Sequence, residues 1–95
     1  MCRFDGRQIA AARALANVGA KELAESAGVT PRTIGRLEVD DAIAVAPKRR
    51  HGHVTKSTFD KIVSALAERG IELLSEREGH GAGVRWMQPR AQRRI

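Results

Sequence analysis

The sequence has no tyrosine, a single tryptophan and two phenylalanines. Proteins that hold single-stranded nucleic acid stack its bases on exposed aromatic rings, so this scarcity argues against single-strand recognition. Cysteine occurs once, as Cys2. A lone thiol cannot staple the chain to itself, and it reads as the reduced, incidental thiol of a cytoplasmic protein, able to pair only with a second molecule in air. No apolar run is long enough to cross a bilayer, and Met1, Cys2, Arg3 and Phe4 do not begin a signal peptide, so no membrane partner is expected. Nucleophile, base and oxyanion donor do not converge at any motif, so no enzyme is expected. His51 and His53 lie two apart with His80 far off. Without a matching cysteine or acidic cluster they do not make a four-ligand zinc site, and neither metal nor cofactor is expected.

Acidic residues are also in short supply: 11 Asp and Glu stand against 17 Lys and Arg, a net charge of +6 and a pI near 10.7. Such an excess suits a polyanionic partner, nucleic acid first, because cations that neutralise phosphates release condensed counterions. It also suits a small protein with an ordinary charged surface. Ninety-five residues make one domain with a modest core.

The organising stretch is 20–38, AKELAESAGVTPRTIGRLE. Leu23, Ala24 and Ala27 form one apolar stripe at helical spacing, and Val29, Ile34 and Leu37 form another after a break. Gly28 is the break, since a residue without Cβ can take the left-handed conformation that ends one helix and turns the chain into the next. Thr30 caps the second helix and Pro31 opens it, where a missing N–H does no harm. Arg32, Thr33, Gly35 and Arg36 face away from Ile34 and Leu37, which leaves a polar, basic side for a partner.

Leu23 and Ala24, Ala27 to Val29, Ile34, Leu37 and Glu38 resemble the helix-turn-helix of the Xre (Cro and phage repressor) family of DNA-binding regulators, over roughly the first forty residues. The resemblance implies an ion pair between Arg13, in an alanine-rich helix over 5–18, and Glu38 at the close of the recognition helix, with a structural role. It implies that Pro31, Arg32 and Arg36 read bases, with Thr30 and Thr33 near enough to touch a base or phosphate. Two departures stand against it. Gly19 and Ala20 replace the capping residue and the backbone-contacting glutamine that resembling proteins carry, and Val39, Asp40 and Asp41 put acids where a glycine and a basic residue are usual.

In the first helix Asp5 is a candidate cap, and Ile9, Ala12 and Ala16, with Leu15 beside them, form the buried side. Residues 42–47 read as a short irregular or extended piece. Lys48, Arg49, Arg50, His51, Gly52 and His53 read as a flexible basic loop, with two readings side by side: phosphate or minor-groove contact near the main site, and a solvated loop. Ser57 to Asp60 resembles a capping box. It should start a helix reaching about Arg69, with Phe59, Ile62, Val63 and Leu66 inward and Gly70 as its stop. Residues 71–74 and 84–87 have strand character across a glycine-rich link and read as a hairpin. A lone hairpin is marginal and must pack on the helices or pair with another chain. Val84 and Trp86 are the candidate dimer contacts; Trp86 reads equally as a packing residue over the fourth helix.

The expected fold is therefore mainly α: a four-helix, Xre-like helix-turn-helix domain over 1–70 with a basic insertion at about 40–54, a β-hairpin at 71–88 and a basic tail at 89–95. The expected function is a bacterial or phage transcriptional regulator, a repressor acting as a cytoplasmic, nucleoid-associated homodimer on double-stranded DNA. It would read the major groove with the helix at 30–37, aided by Lys48, Arg49 and Arg50. The alternative is a helix-turn-helix protein that acts on a regulatory protein partner, as an antiactivator or antitoxin-like factor, which Ala20, Asp40 and Asp41 favour.

Overall fold

The computed structural model describes residues 4–90. Cys2 and most of the basic tail, 91–95, lie outside them. Helix α1 (Gly6–Ala16) starts at a reciprocal cap. The Asp5 carboxylate accepts from the Arg7 N–H at 2.9 Å, and the Gln8 amide oxygen accepts from the Asp5 N–H at 2.7 Å, which occupies donors that a helix start otherwise leaves bare. The helix ends at Asn17 in the left-handed region, φ 57°, a conformation that asparagine tolerates. Helices α2 (Ala20–Ala27) and α3 (Pro31–Glu38) follow, separated by Gly28 at φ 73°. There the Val29 N–H closes back on the Ala24 carbonyl at 3.0 Å.

Past α3 the chain forms β1 (Val45–Ala46), loops out, and returns as β2 (Val54–Thr55), which pairs parallel with β1. Helix α4 (Lys56–Glu68) leads into β3 (Ile71–Leu74), and β4 (Gly83–Trp86) runs antiparallel to it, with Ile71 opposite Trp86 and Leu74 opposite Gly83. The hairpin lies on α1 and α4. Ile9, Leu23, Ile34, Ile62, Leu66 and Ile71 are fully buried in one cluster drawn from all four helices and β3. Each such side chain contributes about 1.5 to 3 kcal/mol relative to exposure. Phe4 and Phe59 close the cluster with ring centroids 5.0 Å apart.

The expectation of a mainly α fold is corrected by this architecture. Of the described residues 47% are helical and 20% lie in strands and bridges, so the class is mixed α and β, with two small sheets where one hairpin was expected. The extra sheet joins the segment read as an irregular piece to the residues before α4. The Val54 N–H donates to the Ala44 carbonyl at 2.9 Å, and the Ile43 N–H to the Phe4 carbonyl at 2.8 Å. These bonds link residues 10 and 39 positions apart, beyond the reach of local propensity. The start of α4 also differs. Thr55, not Ser57, is the cap, accepting from the Thr58 N–H at 3.1 Å, while Asp60 bonds Lys56 one turn back at 2.8 Å. In α1, Gln8 is buried, and Leu15 is 38% exposed. No helix among the described residues is long and apolar enough to cross a membrane.

Candidate nucleic-acid interface

Helix α3 is short, eight residues or about 12 Å, and its two sides differ in kind. At 100° per residue Ile34 and Leu37 fall together, and both are buried against α1 and α2. Arg32, Gly35 and Arg36 fall on the other side and are exposed, as is Pro31 at the helix start. At the N-terminal end the Thr30 hydroxyl accepts from the Thr33 N–H at 3.2 Å and shares a 3.0 Å hydrogen bond with the Thr33 hydroxyl. Cap and first turn are thereby one rigid unit, with Pro31 at the position that needs no N–H donor.

The inner end of α3 is held by charge and by close packing. Arg13 grips Glu38 with two parallel bonds, Nε to Oε2 at 2.6 Å and Nη2 to Oε1 at 2.9 Å, and its Nη1 reaches the Val18 carbonyl at 3.4 Å. The bond to Glu38 raises the Arg13 pKa above its ordinary value. This forked geometry fixes direction as well as attraction, so the pair sets how α3 sits on α1. Beside it, Gly6 donates its N–H to the Asp40 carbonyl at 2.8 Å. A Cβ on Gly6 would run into the Leu37 carbonyl oxygen and come within 2.8 Å of that of Asp40. Only glycine lets α1 begin against the end of α3.

Asp40 and Asp41 belong to this inner end, about one helix length from Thr30. The Asp40 carboxylate accepts from the Ala42 N–H at 3.2 Å, and Asp41 lies 3.3 Å from Arg7. Arg7 also pairs with Asp5 at 2.9 Å; its bonds hold the Asp5 carboxyl below the usual carboxylate range. At the start of α2, Gly19 offers no side-chain cap. Helix α2 is tied to the end of α4 through Arg69, which bonds Ser26 Oγ at 3.1 Å and lies 3.6 Å from Glu22.

The cations thus divide into two groups. Arg7, Arg13, Lys56, Arg69 and Arg85 each have an acidic partner. Arg32 and Arg36 on α3, Lys48, Arg49 and Arg50 between β1 and β2, and Lys21, Lys61, Arg77 and Arg90 scattered elsewhere are exposed and form no ion pair with the described residues. The segment that carries Lys48, Arg49 and Arg50 is shaped by backbone bonds: His53 N–H to the Arg50 carbonyl at 3.0 Å, and Gly52 at φ 76°. Thr30, Pro31, Arg32, Thr33 and Arg36 are brought together on one helix start and face, whereas Lys48, Arg49 and Arg50 form a separate cluster. Val84 and Trp86 are partly buried against the core of their own chain, with the Trp86 ring over Gly70.

Two residues of structural consequence escaped the reading of the sequence. Gln8 had a signal, its position three residues after the capping Asp5. Its amide also donates to the Leu74 carbonyl at 2.9 Å and the Gly83 carbonyl at 2.8 Å, which pins the last rung of the hairpin to α1. Gly6 had none, because the contact that requires it comes from residues more than thirty positions away. No family model matches this sequence, and no curated protein matches it significantly.

Proposed function

We propose that this protein is a sequence-specific regulator that binds double-stranded DNA through the major groove, with α3 as the reading helix and a helix-turn-helix like that of Xre-type repressors. The observation that carries the reading is the asymmetry of α3. One side is locked into the core by Ile34, Leu37 and the Arg13–Glu38 fork, while Arg32 and Arg36 project from the other with no acidic partner among the described residues. Arginine matches the O6 and N7 acceptors of guanine with a two-pronged contact, so these two are assigned to base readout. Thr30, Thr33 and Pro31 lie at the N-terminal end, where a recognition helix enters the groove. Lys48, Arg49 and Arg50 supply phosphate contacts on a second segment. The chain, a bacterial or phage regulator, acts as a homodimer in the bacterial cytoplasm, pairing through the hairpin, where Met87 is 49% exposed beside Trp86. Repression by promoter occupancy is the matching mode, and neither catalysis nor a cofactor enters it.

The test is selection from a random duplex pool with the wild type beside an Arg32→Ala, Arg36→Ala double variant. An enriched inverted repeat that the variant fails to recover supports a dimeric, sequence-reading binder. If low salt yields no enrichment, the reading is wrong. A second reading, action on a regulatory protein partner, is favoured by the side chain of Asp41, 91% exposed, and by the uncapped start of α2. Salt separates the two. Binding through several phosphates weakens steeply as salt rises, and an apolar protein interface changes little.

A further inference from the structure

Glycine inside a helix needs a reason, since it destabilises the helix relative to alanine. Gly6 has one in the Leu37 carbonyl, and Gly28 has one in its positive φ. Gly35, in the middle of α3, has neither. A Cβ placed on it meets nothing within 4 Å, and its backbone is ordinary helix. No contact among the described residues calls for glycine there.

The surroundings of Gly35 indicate what does. Residues three and four apart are neighbours on a helix surface, so Arg32, Gly35, Arg36 and Val39 form one stripe. Val39 is 83% exposed, the most exposed large apolar side chain of the described residues. An apolar seam, the bare Cα of Gly35 and then Val39, therefore runs alongside two guanidinium arms. Along the helix axis the arms are about 6 Å apart, close to two base-pair steps. A matching partner presents an apolar knob beside hydrogen-bond acceptors, and in the major groove the apolar group is the 5-methyl of thymine.

Resting on the reading of α3 as a DNA-reading helix, we propose that Gly35 is a specificity-determining notch that seats a thymine methyl beside the guanines held by Arg32 and Arg36. The helix accepts a less stable residue so that its backbone can approach the base edge.

The test uses the duplex recovered with the wild type, each thymine replaced in turn by deoxyuridine, which removes only the methyl. At one thymine per half-site, wild-type affinity should fall about fourfold, the worth of one buried methyl group. Gly35→Ala should raise the thermal midpoint by about 4 to 8 °C yet bind the thymine duplex about tenfold more weakly. The deoxyuridine duplex should restore most of that loss, since the added Cβ then has no methyl to strike. Wild-type binding indifferent to every such replacement, or a Gly35→Ala loss equal on both duplexes, would overturn the notch and leave the DNA reading intact. Absence of wild-type binding to any duplex would overturn both.

Discussion

The two sides of α3 use the same residue types for opposite ends. On the inner side, at the junction with α1, Gly6 is glycine because a carbonyl oxygen occupies the space of a side chain, and Arg13 is consumed by a two-pronged bond to Glu38. On the outer side Gly35 has open space around it, and Arg32 and Arg36 have no acidic partner among the described residues. A polar group or an absent side chain is informative only against what its own chain does with it. Where the fold satisfies the group, its role is architecture. Where the fold leaves it without a protein contact, at some loss of helix stability, the group is open to a partner, which is what the proposed function assigns to it.

This contrast can be broken most directly with the two glycines. Gly6→Ala must push α1 off the end of α3, and denaturant unfolding should show a loss of about 3 kcal/mol, near the upper end for overpacking. Gly35→Ala, the same chemical change on the same helix pair, should gain about 1 kcal/mol. Equal effects at the two sites would erase the distinction. The charged residues give the next largest contrast. Glu38→Ala strands a guanidinium that is only 24% exposed and should cost about 2 kcal/mol, less than a fully buried pair because water still reaches it. Replacing Arg32 and Arg36 together should leave unfolding unchanged to within about 0.5 kcal/mol while removing sequence selection. A fold as sensitive to the outer arginines as to Glu38 would show that they are structural too.

The smallest effect concerns pH. The Asp5 carboxyl, bonded by the Arg7 side chain and N–H, sits below its ordinary value of 3.8. A carboxyl depressed by folding contributes stability that is complete above that ordinary value and is lost as pH falls through the lower, folded one. Acid titration of the thermal midpoint should therefore show an Asp5-dependent decline below pH 3.8, absent in Asp5→Asn, with no difference between the two slopes near neutrality.

How far the sequence was legible depended on distance along the chain. The break at Gly28, the cap at Thr30 and the buried pair Ile34 and Leu37 each follow from neighbours within one or two turns, and the periodicity of the stretch is enough to see them. The meeting of Arg13 with Glu38 was reached only through resemblance to a known family, because no local rule relates positions 25 apart. The parallel pairing of β1 with β2 was missed for the same reason, and with it the fold class. A two-residue strand has no period, and its stability comes from the partner it finds. Likewise the cap of α4 was placed at Ser57, a good local candidate, when Thr55 lies at the end of β2 and inherits its position from that sheet.

By itself, then, the sequence determined the helices, the break at Gly28 and the cap at Thr30, the basic charge and the two-sidedness of α3, since propensity and periodicity act between near neighbours. Only the tertiary structure decided which of these groups are already spoken for. Gly6 became indispensable and Gly35 did not, Gln8 became the clasp between α1 and the hairpin, and the cations separated into partnered and unpartnered. Each of those outcomes is a matter of what lies within a few ångströms in space, and chain order does not specify it until the core of Ile9, Leu23, Ile34, Ile62, Leu66 and Ile71 has drawn the distant segments together.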